Sequence, residues 1–126
     1  MNNKYRAWDT VRNEYLSAGR VLLSIEPKRN PVDGKVFLDV LEYEVKDGRF
    51  IIEQFTGFKD KKGTEIYEGD VISFLYTKKV TILPVCWGIG SWWAKGVGWF
   101  KDLREIFDRC EVVGNIHETP QLLKGA

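Results

Sequence analysis

Histidine, cysteine and methionine are scarce in this chain of 126 residues: His117 stands alone, Cys86 and Cys110 are the only thiols, and there is a single methionine. A serine or cysteine triad would have to use His117, yet its neighbours Ile116 and Glu118 form no recognised nucleophile or zinc motif. An ordinary surface or half-buried histidine is expected there. Cys86 and Cys110 lie too far apart for a metal-ligand spacing, and in a reducing compartment they read as buried free thiols. Charge of one sign is missing too. Nineteen basic and eighteen acidic residues leave a net charge of +1, so no global field draws nucleic acid or anionic lipid, and any such binding must be local. No apolar run is long enough for a membrane span, and the polar start Met1, Asn2, Asn3, Lys4 is no signal peptide. A cytoplasmic location without a membrane partner is the expectation. Phosphate cradles are absent as well: Gly88, Gly90, Gly96 and Gly98 are loosely spaced and lack a following lysine with a hydroxyl residue. No cofactor and no metal is expected.

What the chain does contain is apolar and aromatic. At 44% hydrophobic residues it can bury the core of one ordinary domain. Residues 36–45 begin β-branched and then alternate, with Leu41, Tyr43 and Val45 opposite Glu42 and Glu44, the period of a half-buried strand. Asp47-Gly48 follows, a dipeptide suited to a tight hairpin, so 49–55 should return as its antiparallel partner. Before this pair, Pro27, Pro31 and Gly34 argue against any regular element over 27–34. Val21, Leu22, Leu23 and Ile25 fit a strand or the end of a short helix.

Further on, Lys59 to Gly63 forms a polar turn closed by glycine, and strand resumes at 65–67. Glu68-Gly69-Asp70 then breaks the pattern before a strand over 71–76, as at a bulge or the corner of a small barrel. Residues 80–87 and 92–94 form a hairpin across Gly88, Ile89 and Gly90. Leu103, Ile106, Phe107 and Cys110 have helical spacing, and Asp102 with Glu105 resembles a capping box, which predicts about two helical turns. A last strand over 111–116 and a closing turn at Pro120 complete a mainly β chain with at most one or two short helices.

Three blocks also resemble a known family. They are Tyr5, Arg6, Ala7, Trp8, Asp9; the run from Gln54 to Val71 with Thr56, Gly57, Lys59, Asp60, Gly63, Glu68, Gly69 and Asp70; and Glu111 to Ile116 with Gly114 and Asn115, followed by Glu118, Pro120, Leu122 and Leu123. In this order they resemble the YopX-like proteins of phages and prophages. The resemblance implies a β-rich N-terminal portion, residues 1–55, and an SH3-like β-roll or barrel over 56–126, the whole forming one unit in the cytoplasm of a bacterial host. It implies no activity. Phe58, Lys62 and His117 depart from the family pattern by exchanges that leave the fold unaffected.

Candidate sites are therefore few. Asp60, Glu65, Glu68 and Asp70 are the one acidic group able to share a metal or divide acid and base roles; carboxylates beside a bulge glycine equally bond unpaired backbone amides. Arg6 and Trp8 share a face if they lie in a strand, so the guanidinium can stack on the indole while Asp9 pairs with Arg6 or ends the strand. Trp92, Trp93 and Trp99 with Lys95 and Lys101 form a dense aromatic and basic stretch, read either as the filling of a small barrel or as a contact surface. Trp92 and Trp93, being consecutive, should point to opposite faces. The leading expectation is a non-enzymatic module that binds protein or itself; the alternative is a single-stranded nucleic-acid binder stacking bases on those indoles, and a small hydrolase or metal-dependent enzyme comes third.

Overall fold

The computed structural model describes residues 4–16, 28–29, 31–34, 36–37 and 48–124. The expected strand beyond Phe37, Asp47 of the hairpin turn, and the undecided run 21–25 lie outside them. Contacts divide the chain into two units, Met1–Phe55 and Thr56–Ala126. The fold is mainly β, with one short α-helix among the described residues.

In the first unit, β1 (Tyr5–Asp9), β2 (Glu14–Tyr15), β3 (Lys28–Arg29), β4 (Val36–Phe37) and the start of β5 (Phe50–Lys59) make an antiparallel sheet in the order β2-β1-β5-β4-β3. Lys28–Arg29 corrects the expectation of an element-free loop. Pro27 and Pro31 flank this short strand without entering it, so both of its residues keep the amide that pairing with β4 requires. β1 buries Tyr5, Ala7 and Trp8, with Ala7 opposite Ile52 and Asp9 opposite Phe50 of β5. Arg6 reaches Glu53 on β5 at 2.8 Å, and Tyr15 donates its hydroxyl to the same carboxylate at 2.9 Å. The guanidinium lies 4.5 Å from the Tyr15 ring centre, and Trp8 meets that ring edge-on. The β1–β2 register sets Tyr15 opposite Trp8, and Arg6 stacks on Tyr15. Asp9 accepts the amides of Val11 and Arg12, and its other oxygen faces Arg49 at 3.5 Å. Its ionic partner is Arg49, not Arg6.

β5 runs on into the second unit, and β6 (Glu65–Tyr67) pairs with it. Thereafter β7 (Asp70–Tyr76), β8 (Lys79–Gly88), β9 (Ser91–Lys95), β10 (Phe100–Asp102) and β11 (Glu111–Asn115) form an antiparallel sheet ordered β10-β9-β8-β7-β11. Alternation does the sorting. Ile72 and Phe74, Leu83 and Val85, and Trp92 and Ala94 point inward onto Leu103 and Ile106 of α1 (Leu103–Ile106). Each such aliphatic side chain contributes about 1.5–3 kcal/mol when fully buried. The β8–β9 hairpin closes on Ile89 and Gly90, both at positive φ, as a two-residue turn requires. A 3₁₀ turn over Phe107–Arg109 extends α1 to the expected length. Asp102 caps the helix by accepting Arg104 N at 2.9 Å, but Glu105 pairs with Lys101 at 3.3 Å, so half of the expected capping box forms. β10 had no strand signal in its sequence; it exists because β9 offers it an edge.

Candidate interaction surface

The five residues expected to form a contact surface separate onto different faces. Trp92 is only 9% exposed and belongs to the core. Its partner across the β8–β9 register is Trp87, whose ring it meets edge-on at 4.8 Å. This corrects its assignment as a surface residue: the strand's alternation turns Trp92 inward with Ala94. Trp93 points to the opposite face, half-buried, where its indole Nε1 donates to Gly88 O at 2.7 Å and its ring packs edge-on against Phe100 at 4.8 Å. Lys95 is exposed and lies opposite Phe100 in the β9–β10 register. Trp99 stacks on Tyr76 at 5.1 Å, and Gly96 lies so close that a Cβ there would be 2.7 Å from the Trp99 Nε1. Lys101 places its ammonium 5.5 Å from the Tyr76 ring centre. Each of Trp92, Trp93 and Trp99 is therefore already engaged with another aromatic ring of the chain.

Exposed apolar side chains also pair on a neighbouring hairpin. In the β7–β8 hairpin, Leu75 and Val80 are directly paired and are 64% and 62% exposed. Tyr76, 41% exposed, follows at the turn. Sequence reasoning placed these residues in strands without marking them, because a Leu and a Val in strand context normally point inward. Their available signal was register: with Phe74 and Leu83 inward, Leu75 and Val80 must face out. The connecting turn is Thr77-Lys78, both at positive φ (+48° and +66°), where non-glycine residues are uncommon. Beside the hairpin runs a groove of about 530 Å³ lined by Tyr76, Ile82, Leu83, Gly96, Trp99 and Leu122.

Two members of the acidic group, Asp60 and Asp70, are bound up with the backbone. Asp60 is buried; one oxygen accepts the amides of Lys62 and Thr64, each at 2.9 Å, and the other accepts Val112 N at 2.8 Å. Burial pushes its pKa up, but those three amides and the Lys62 charge outweigh it and hold the carboxyl below its ordinary value. Asp70 accepts Tyr67 N at 2.7 Å. Among the described residues no group of three or more His, Cys, Asp or Glu is arranged to hold a metal ion. Cys86 and Cys110 are free; burial raises both thiols, Cys110 to about 11. No helix among the described residues is long and apolar enough to cross a membrane.

A family model described as YopX protein matches residues 4–124. The chain belongs to the YopX family. A crystal structure of protein EF1440 from Enterococcus faecalis is similar to this YopX protein, with 26% identity, a TM-score of 0.63 and coverage of 96% of this chain and 97% of that one. No curated protein matches the chain.

The YopX signature residues, placed in the structure, are mostly turn and cap formers. Thr56 donates its hydroxyl to Ile66 O at 2.7 Å and accepts Phe58 N. Gly57 and Gly63 are at positive φ, and Lys59 is exposed. Gly69 is at φ +86°; its amide donates to Val85 O and its carbonyl accepts Ile116 N, both at 2.9 Å. Glu68, beside it, is half-buried in the same turn. Asn115 accepts the amides of His117 and Glu118 and donates Nδ2 to the Glu118 carboxylate at 2.9 Å. Gly114 sits beneath Thr119 and Leu122. With Arg6, Trp8 and Asp9 in the first unit, these residues are distributed along the chain.

Proposed function

We propose that this YopX protein is a phage- or prophage-encoded, non-enzymatic interaction module: an SH3-like roll, working in the cytoplasm of the host, that binds a protein partner or itself. The observation carrying this reading is the exposed Leu75–Val80 pair, with Tyr76, on the β7–β8 hairpin. Two adjacent aliphatic side chains held open to water on a regular strand pair cost solvation that a partner surface would recover, at about 25 cal/mol per Å² of apolar area covered. The engagement of Asp60 and Asp70 with backbone amides supports the non-enzymatic part, since both carboxylates already hold turns in place. The nucleic-acid alternative draws less support, because base stacking needs an open ring face and each candidate indole already packs against another ring.

The test is a double substitution, Leu75→Ser with Val80→Ser, compared with the parent by sedimentation equilibrium and by capture of partners from host extract. Loss of self-association, or of a captured protein, with the near-ultraviolet circular dichroism intact is the expected result. Unchanged association in a folded variant would overturn the proposal.

A further inference from the structure

β9 leaves β8 early. The two strands pair from Val85↔Ala94 to Gly88↔Ser91, and the chain then turns at Gly96, whose amide donates to Trp99 O at 2.9 Å. β8 meanwhile continues beside β7 as far as Lys79. Over residues 79–83 it therefore has, among the described residues, a strand on one side only. Tyr76↔Lys79 closes a two-residue turn and is a hydrogen-bonded pair, so the antiparallel alternation points the N–H and C=O of Val80 and Ile82 away from β7. Among the described residues, no backbone bond outside the strand ladders takes those four groups, and no ladder reaches them from the β9 side.

This open edge forms one side of the groove of about 530 Å³. Lys79 and Lys124 line it, and Lys95 lines a hollow that continues from it along Ile82 and Gly96. Among the described residues no carboxylate lines either. In a chain with nearly equal numbers of acidic and basic residues, a groove with two lysines, a third in the hollow beside it and no acid among the described residues has a definite sign.

Deepening the protein-binding reading above, on which it rests, we infer that residues 79–83 of β8 are a strand-addition site for an extended peptide segment of a partner that carries acidic side chains. An added strand supplies the alternating donors and acceptors that Val80 and Ile82 lack, and its side chains alternate between the two faces of the edge. On one face they meet Leu83 and Trp99. The lysines select acidic residues at the rim. A phosphodiester backbone offers acceptors alone and cannot answer the two carbonyls. A second copy of this chain, pairing through the same edge, would set lysine against lysine.

The experiment follows the backbone amides of the full chain by NMR while a short synthetic peptide of alternating Val and Glu is added. Saturable shifts at Val80 and Ile82, with hydrogen exchange there slowed by at least about tenfold, are expected. The same peptide N-methylated at alternate residues keeps its side chains and loses its donors, so it should bind at least about tenfold more weakly. Ile82→Pro deletes one outward amide and spares the β7 ladder, as Pro84 already does two positions along the strand; it should weaken binding while leaving near-ultraviolet circular dichroism unchanged. Should that variant fail to fold, the N-methylated peptide still decides. Absence of saturable shifts, equal binding of the N-methylated peptide or of a Val and Lys peptide, stronger protection of the same amides by oligothymidylate, or protection of them by self-association alone would each overturn the inference. If Leu75→Ser with Val80→Ser abolishes association while the edge amides stay unprotected, the strand-addition site fails and the interaction module stands. If the peptide protects the edge amides in the parent while the double substitution leaves association unaffected, the strand-addition site stands and the Leu75–Val80 contact surface fails.

Discussion

Gly69 takes a φ of +86° while its amide is bonded to β8 and its carbonyl to Ile116, the residue after β11. It cannot relax without breaking one of those bonds, and a Cβ is unfavourable at that angle. Gly69→Ala should therefore lower stability by more than about 1 kcal/mol, measured as a fall in denaturation midpoint at unchanged m-value. Asp60 ties the 60–64 turn to the first residues of β11 through three amides. Asp60→Ala should cost about 2–3 kcal/mol, since charged acceptors are worth more than neutral ones and Val112 N would lose its partner. Its folded pKa lies below the ordinary 3.8, so its contribution is fully present above that value and is lost as pH falls through the lower, folded one. Asp9 acts in the same direction, because the amides of Arg12 and Val11 outweigh the burial that raises it. Melting temperatures of the parent should drop in acid below about pH 4, with a shallower drop in Asp60→Asn.

At the scale of elements, the β7–β8 turn is built from residues that fit it poorly. Thr77 and Lys78 adopt the positive angles of a two-residue hairpin turn without Asn or Gly, so replacing the pair by Asn-Gly should stabilise the protein by about 0.5–1 kcal/mol. An unchanged or lower melting temperature would count against the turn geometry. The end of β11 shows the opposite situation. A Cβ on Gly114 would collide with Thr119 Oγ1 and press on Leu122, so Gly114→Ala should displace the closing 3₁₀ turn, Pro120–Leu123, and cost about 1–3 kcal/mol. Elements with strong local signals were legible in the sequence: the strands at 71–76 and 80–87 between their turns, the Gly88 to Gly90 turn, and Asp102 as a cap. β10 and the Lys28–Arg29 strand were not, since a short pairing is decided by the neighbouring edge and not by propensity.

For the molecule as a whole, the second unit holds a complete core of its own, from Ile66 to Cys110. A fragment of residues 56–126 should accordingly unfold cooperatively, with the near-ultraviolet signal of Trp87, Trp92, Trp93 and Trp99 lost in a single thermal transition. A gradual, featureless melt would mean that its packing depends on the first unit. Family membership was also visible at this scale, because its three blocks span both ends and the middle.

Residue types and their spacing determined that this chain is β-rich, where its main turns fall, and which family it resembles, because glycines, caps and period-two alternation act over a few residues. They also left one histidine and two distant cysteines as poor material for a catalytic set. What each tryptophan does was decided only in three dimensions: Trp92 and Trp93 are identical in kind and adjacent in sequence, and the β8–β9 register alone sends one to the core and the other outward. The same holds for Arg6, whose stacking partner came from another strand. The open edge of β8 is likewise a product of where β9 stops. A strand's sequence specifies how its faces alternate, whereas the ends of its neighbours settle which backbone groups are left unpaired.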